Sequence, residues 1–490
     1  MNLTKLLSHI AVQRIAGSSE REITGIAYDS RHVKPGSLFV AVKGEKTDGS
    51  AFIPQAIEAG ASAVLGEQPG EHSKATMITV GNARQAMADV ACAYYDNPSH
   101  HLKTTAVTGT NGKTTFTFLL KHLCERAIMP SGLIGTVRYE IGNRILPATR
   151  TTPESLDLQE MLAQVRNAGC RAAVMEASSH ALVLERLRGV ELDAAVFTNL
   201  TQDHLDFHGT MERYFEAKTL LFSRLLEQKK KKGIPIINLD DRFGARLAQK
   251  FSRDLPVVTY GQGLRADFRA SSVRIDYNGT TYQLDAKGRS FLVRMPLMGR
   301  FNVANSLAAL AAASALEINL RDAVNALADA PSVPGRVELV PGRRNFKVFV
   351  DYAHTPDALV NVMKTLRELQ PSRLIVVFGC GGNRDRAKRA LMASAVEQAA
   401  DIAIITSDNP RKEDPLAIIE DIKKGFTGKN YLEFPDRQHA IEEAIHMARE
   451  RDIVLIAGKG HENYQEFADR TVPFDDVEVA SQALAQLRRE

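Results

Sequence analysis

The chain of 490 residues has no tryptophan, only 6% aromatic residues and four cysteines. Cys92, Cys124, Cys170 and Cys380 stand far apart, so neither a disulfide framework nor a zinc or redox pair is expected, and reduced thiols in a cytoplasmic protein are. No apolar run approaches the roughly 18 residues a membrane-spanning helix needs. The apolar N-terminal stretch is interrupted by His9 and Arg14, so neither export nor membrane insertion is expected. Charge of one sign is also scarce. The 62 Lys and Arg nearly balance 58 Asp and Glu, and a net charge of +4 gives no reason to expect a nucleic-acid partner. What is present, 44% hydrophobic and 24% charged residues, excludes disordered and collagen-like chains. At about 150 residues per domain the length suggests roughly three globular domains.

The pattern divides the chain accordingly. Residues 1–98 read as a small mixed α/β domain, with strands near Ile23–Tyr28, Leu38–Val42, Ala61–Leu65 and Met77–Val80 and helices after Phe52 and Asn82. The turn-rich Asp96 to His101 marks the first boundary. Residues 99–335 alternate strand and helix, which predicts a mostly parallel sheet, with a hairpin added at Asn278-Gly279. After the Pro331 to Arg336 break, residues 336–490 read as a Rossmann-like, doubly wound α/β domain. Asp351, Arg384, Asp408, Arg411, Lys459 and Glu462 follow its strands and are expected to face one cleft. The run Lys229 to Lys232 reads as the solvated end of a helix starting near Met211 and stopped by Gly233. The alanine-rich Leu307–Leu316 reads as a buried helix.

The sharpest motif is Thr108-Gly109-Thr110-Asn111-Gly112-Lys113-Thr114-Thr115, set between a β-rich run and an amphipathic helix. A strand, glycine loop and helix form the context in which backbone N–H groups cradle phosphates. Lys113 would neutralise the β and γ oxygens and the Thr114 hydroxyl would reach Mg²⁺. Val107 stands where the generic pattern has glycine. Glu176 and His204, each following a predicted strand, are the candidate further metal ligands.

These motifs, together with Glu176-Ala177-Ser178-Ser179-His180, Asp203-His204-Leu205-Asp206, Gly299 to Asn305, Pro334 to Glu338 and Asp351 to Pro356, resemble the Mur ligase family over essentially the whole chain. Asp408-Asn409-Pro410-Arg411 and Gly379 to Asp385 are similar to the branch that adds meso-diaminopimelate. The resemblance implies an ATP- and Mg²⁺-dependent ligase of peptidoglycan synthesis, and so of cell-wall biogenesis, cell shape and division. It would join meso-diaminopimelate to UDP-MurNAc-L-Ala-D-Glu, as a monomer with small-molecule partners. By the same resemblance, Ser30 and the Glu45-Lys46-Thr47 loop would hold the UDP part. Thr151, Thr152, Ser178 and Arg186 would contact the muramoyl-peptide, with Leu184 where relatives carry glutamine. Gly109, Thr110, Asn111, Gly112, Thr114, Thr115, Asn302, Arg336 and Asp351 would meet ATP. Lys218 would be carbamylated and join the metal site, and Arg384, Asp408, Asn409, Pro410, Arg411, Gly458 and Glu462 would take diaminopimelate.

The chemistry suits these residue types. Making an amide in water calls for an activated carboxylate, and bringing one anion to the γ-phosphate is a problem of position and charge. Lys113, Arg336 and Mg²⁺ would relieve that repulsion, and closure between domains would shield an acyl phosphate from water. Diaminopimelate carries a distal carboxylate that lysine lacks, so a planar cation such as Arg411 or Arg384 is the fitting discriminator. The alternatives are a ligase of the same superfamily with another substrate (lysine, D-Ala-D-Ala or folate) and a P-loop switch without synthetic activity.

Overall fold

The computed structural model describes residues 1–44, 47–342, 344–428 and 430–487. Three principal sheets follow one another along the chain. In the first, Thr76–Val80, Ala63–Gly66, Ser37–Ala41 and Gly25–Ala27 run parallel in that order, with Val12–Ala16 antiparallel beside Thr76–Val80. The predicted helices are Ile53–Glu58 and Ala83–Tyr94, the second begun by an Asn82 side chain that accepts from the Gln85 N–H. Helix Leu3–Leu7 and strand Val12–Ala16 were not predicted. No residue of that strand is fully buried, so it carries no apolar alternation to read.

The second sheet has eleven strands among the described residues. At its centre Lys103–Thr108 lies between Ala172–Glu176 and Ala194–Phe197, all parallel. The register sets Glu176 opposite Val107 and Phe197 opposite Thr108, so three strand ends meet at one point. One edge is built from Phe268–Asp276, Gly279–Ala286 and Arg289–Met295, joined antiparallel around the predicted Asn278-Gly279 turn. Helix Arg300–Ala315 is buried continuously from Asn305 to Ala313, as its alanine content predicts, and packs on helix Lys113–Arg126.

The third sheet is doubly wound. Lys347–Asp351, Ile453–Ala457, Leu374–Phe378, Ile402–Ile405 and Tyr431–Glu433 are parallel, with Glu338–Leu339 antiparallel at the edge. Leu359, Val362, Met392 and Ile418 pack on one face, and Ile441, Ala444, Ala480 and Leu484 on the other. A two-stranded ribbon, Tyr464–Glu466 with Thr471–Pro473, was not anticipated.

The lysine run departs from its reading. The helix ends at Glu227, and the backbone N–H groups of Lys229, Lys230 and Lys231 donate to the Glu191 carboxylate. Lys231 turns inward to Asp193 at 2.6 Å. A carboxylate held by successive N–H groups outweighs another helical turn here. All four cysteines are buried and unpaired, and no helix of the described residues is long and apolar enough to cross a membrane.

Candidate active site

The glycine loop 109–112 joins strand Lys103–Thr108 to helix Lys113–Arg126. Its glycines are required by close approach: a Cβ on Gly109 would lie 1.8 Å from Thr198 Oγ1, and one on Gly112, at φ +89°, 2.3 Å from Asn305 Oδ1. Residues 198–201 brace the loop. Thr110 N–H donates to the Asn199 carbonyl at 2.9 Å, Asn111 N–H to Asn199 Oδ1 at 3.0 Å and the Thr198 hydroxyl to the Asn111 carbonyl at 2.6 Å. The loop is thus set before any phosphate arrives, and the N-terminal N–H groups of the helix open beside it.

Two lysines converge on this loop. Lys113 Nζ donates to the carbonyls of Gly109 at 3.0 Å and Thr110 at 2.9 Å, and Lys218 Nζ donates to the Gly109 carbonyl at 2.8 Å. Lys218 comes from helix Met211–Glu227, is 1% exposed and lies 4.5 Å from the centre of the Tyr214 ring. Burial, reinforced by Lys113, holds its amine well below the ordinary lysine range. Burial lowers Lys113 too. Both amino groups thus meet on one carbonyl, and neither forms an ion pair among the described residues.

Glu176, at the end of the adjacent strand and 1% exposed, accepts from the Thr114 hydroxyl at 3.0 Å, the Thr136 N–H at 2.9 Å and the Thr136 hydroxyl at 2.9 Å. Thr114 and Glu176 form an oxygen pair that fits one side of a magnesium ion, which keeps waters and substrate phosphates as its other ligands. No group of three or more His, Cys, Asp or Glu among the described residues could hold a metal unaided. His204 sits at φ +52°, 3.4 Å from Asp203, and burial lowers it to about 4, so it is a neutral imidazole. It edges His180 at 5.0 Å between ring centres. His208 stacks on Tyr214 at 4.8 Å and meets the Ser179 hydroxyl at 2.9 Å. Thr115 is buried in the first helical turn.

The second cluster crosses to the third sheet. Arg336 lies over the Tyr352 ring at 4.8 Å and donates to the Thr114 hydroxyl at 3.5 Å. Asp351 accepts from the N–H groups of Val337 and Ala353, each at 2.7 Å, and so clamps the connecting segment. Burial raises its carboxyl. Asn302 donates to the Met298 carbonyl at 2.8 Å and accepts from Asn305, which reaches the loop glycine.

Near the first sheet a cleft of about 580 Å³ is lined by Ser30, Thr47, Arg84, Arg150 and Glu154. Ser30 donates to Gln55 at 2.9 Å. Glu45 and Lys46 lie outside the described residues. Glu154 meets three arginines, Arg84 at 3.4 Å, Arg150, and Arg186 at 2.8 Å, of which Arg84 and Arg150 line the cleft. Thr152 donates to the Glu176 carbonyl at 2.7 Å and accepts from the Ser178 N–H at 3.1 Å, and Arg186 holds the Thr152 carbonyl at 3.0 Å. The Thr151 and Thr136 hydroxyls lie 3.1 Å apart, with Thr151 the donor because Thr136 gives its proton to Glu176. Leu184 is the C-cap of helix Ser179–Val183.

On the third sheet, Asn409 donates to Glu462 at 2.8 Å and accepts from Lys459 at 3.1 Å, while Lys459 also reaches Glu462 at 3.3 Å. Asp408 faces Gly458, whose φ is +116° and where a Cβ would stand 2.6 Å from Asp408 Oδ2. Arg411, at φ +53° after Pro410, donates through Nε to Glu466 at 2.9 Å and through Nη1 to the Gly382 carbonyl at 3.0 Å. Arg384 is exposed, and its Cγ lies beside the same Gly381 that Arg411 approaches. Asp408, Asn409, Arg411, Lys459 and Glu462 are therefore brought together, whereas Asp351 serves the connecting segment.

Sequence reasoning missed Thr136, Asn199, Asn305, Tyr214 and Glu466. Thr136 follows strand Ser131–Ile134 and could have been found by the same strand-end rule that singled out Glu176. Glu466 lies on the unpredicted ribbon and carried no signal.

Comparison with known proteins bears on the whole chain. Family models described as Mur ligase family, catalytic domain, Mur ligase middle domain, and Mur ligase, glutamate ligase domain match residues 22–95, 107–313 and 335–460. A UDP-N-acetylmuramoyl-L-alanyl-D-glutamate--2,6-diaminopimelate ligase of Syntrophomonas wolfei is 44% identical over 488 residues, 99% of each chain. The protein so named from Geobacillus thermodenitrificans is 44% identical over 492 residues, 100% of each. A solved structure of a ligase with that name superposes with a TM-score of 0.72 at 36% identity, covering 100% of this chain and 99% of the other. With three family models in order along the chain and relatives this similar over its full length, the chain belongs to the Mur ligase family.

Proposed function

We propose that the chain is an ATP-dependent amide-forming ligase that adds meso-diaminopimelate to UDP-MurNAc-L-Ala-D-Glu through an acyl phosphate, the MurE-type step of cytoplasmic peptidoglycan synthesis. The observation that carries it is the convergence of Lys113, Lys218, the Thr114–Glu176 pair and Arg336 from two sheets onto one loop, in a chain similar throughout to diaminopimelate ligases.

In this reading residues 1–98 bind UDP, 99–335 bind ATP and 336–490 bind the amino acid. The loop amides and Lys113 hold the phosphates, and Arg336, delivered by the third domain, adds positive charge against the negative charge that builds on the transferring phosphate. Thr114 and Glu176, with Lys218 as a carbamate and His204 nearby, would hold magnesium, which supplies charge neutralisation between phosphates and carboxylate. A neutral amine is what reacts with CO₂, and burial shifts Lys218 toward that form. The arginines around Glu154 suit the anionic UDP-sugar-peptide. Asp408 and Glu462 would accept from the distal ammonium and Arg411 would pair with the distal carboxylate.

The test is amino-acid-dependent phosphate release with ATP and UDP-MurNAc-L-Ala-D-Glu. Release is expected with meso-diaminopimelate and far less with lysine. Nucleotide binding without release under any amino acid would establish a P-loop switch instead, and release driven better by lysine would assign the other substrate.

A further inference from the structure

Behind the loops assigned to the amino acid lies a fully buried ion pair that the reaction as described does not use. Arg437, the first residue of helix Arg437–Met447, and Asp476, the first of helix Asp476–Gln486, are both 0% exposed. The guanidinium donates through Nε to Asp476 Oδ1 at 2.8 Å and through Nη2 to Oδ2 at 2.7 Å, a bidentate pairing. Its remaining contacts are main-chain carbonyls: Nη1 donates to Ser407 at 3.3 Å and Nη2 to Ala457 at 3.1 Å. Ser407 immediately precedes Asp408 and Ala457 immediately precedes Gly458. The two strands from which these loops leave are not neighbours, because Leu374–Phe378 runs between them, so no ladder hydrogen bond ties the loop roots together.

We infer that Arg437, oriented by Asp476, is a positioning residue for the amino-acid site: it sets the separation of the Asp408–Arg411 and Gly458–Glu462 loops and through it the affinity for diaminopimelate. The inference rests on the proposed assignment of those loops. A buried ion pair is a costly way to gain stability, since apolar side chains of similar volume serve as well. Its value here lies in geometry, because a planar fork held at one side by a carboxylate presents its other N–H groups in fixed directions. There is no slack between the loops to absorb a shift, given how closely Gly458 approaches Asp408. Asn409 joins the loops through Lys459 and Glu462, and Gln465 donates to the Asp408 carbonyl at 2.9 Å. The cation also lies within electrostatic reach of Asp408 and Glu462.

Two variants separate geometry from stability. Arg437→Lys keeps the charge and loses the fork, and the double variant Arg437→Met with Asp476→Leu removes the pair without leaving a lone buried charge. In both, KM for meso-diaminopimelate should rise between about 10- and 100-fold, the worth of a displaced hydrogen bond to a charged group. KM for ATP and for the UDP-dipeptide, and kcat at saturating diaminopimelate, should stay near the parent values. A lowered Tm with KM for diaminopimelate unchanged, or all three KM values rising in parallel, overturns the inference. Amide hydrogen exchange at residues 408–411 and 458–462 reads the clamp without turnover. Faster exchange in Arg437→Lys supports it and unchanged protection overturns it, even if the parent enzyme shows no diaminopimelate-dependent phosphate release and the loop assignment itself fails.

Discussion

The nucleotide loop and the amino-acid loops hold their cations in opposite ways. At residues 109–114 Lys113 and Lys218 share the Gly109 carbonyl, and the Arg336 guanidinium reaches Thr114. Burial penalises both lysines, and among the described residues no carboxylate pairs directly with either. At residues 408–466 the cations are already matched, Arg411 with Glu466 and Lys459 with Glu462. The first arrangement gains when a polyanion arrives and so stores binding strength for phosphate. The second, if it takes the amino acid as proposed, would gain little net charge from it and would discriminate by geometry and by exchange of partners. Strong anion binding and fine selection of an amino acid thus call for differently prepared sites.

The comparison breaks first at Lys113. If the nucleotide loop works by uncompensated charge, Lys113→Ala should lower the rate of phosphate release by about 1,000-fold or more, with the folded structure retained by circular dichroism. Turnover near the parent level would remove the charge argument. Lys218→Ala should cost less, about 100- to 1,000-fold, and be partly restored by short carboxylic acids that return the missing anion. Loss of activity on removing CO₂ from the parent enzyme, restored by bicarbonate, is the accompanying expectation, and indifference to both treatments would contradict a carbamate.

Arg411→Ala sharpens the other half. Truncating one partner of a buried charge pair costs about 2 to 5 kcal/mol. Arg411 is already partly engaged by Glu466 and Gly382, so the lower end is expected, about 30- to 100-fold in kcat/KM for diaminopimelate. The already poor use of lysine should change little. Equal proportional losses for both amino acids would mean that Arg411 only supports the turn.

The smallest effect concerns His208, buried against Tyr214 and lowered from 6.5 to about 4 by burial and then by His180. Its folded pKa lies below the unfolded one, so the unfolded chain binds the extra proton. Stability is therefore level above about pH 6.5 and falls as the pH drops toward 4. Between pH 7 and 5 this amounts to about 1–2 kcal/mol. Tm measured across that range should fall more steeply in the parent than in His208→Asn, and parallel slopes would exclude His208 as the source.

Local pattern carries the part of the structure that amino-acid order alone imposes. A strand that ends in Gly-Thr-Asn-Gly-Lys-Thr and opens a helix can fold locally in few ways, and apolar runs bounded by turns located most parallel strands within a residue or two. Glu176, His204 and the Asp408–Arg411 turn could be singled out as candidates because strand ends in parallel sheets are where ligands bind. Tertiary structure alone decided which strand ends meet. The order that places Ala172–Glu176 and Ala194–Phe197 on either side of the loop strand reflects long-range pairing, which no window of sequence records. It also turned Asp351 onto the connecting segment, drew the lysine run around Glu191, and set Glu466 and Arg437 against loops up to 55 residues away in the chain. Those contacts arise because a buried donor or acceptor must find a partner wherever the fold brings one near, and that partner is named by distance in space rather than by spacing in sequence.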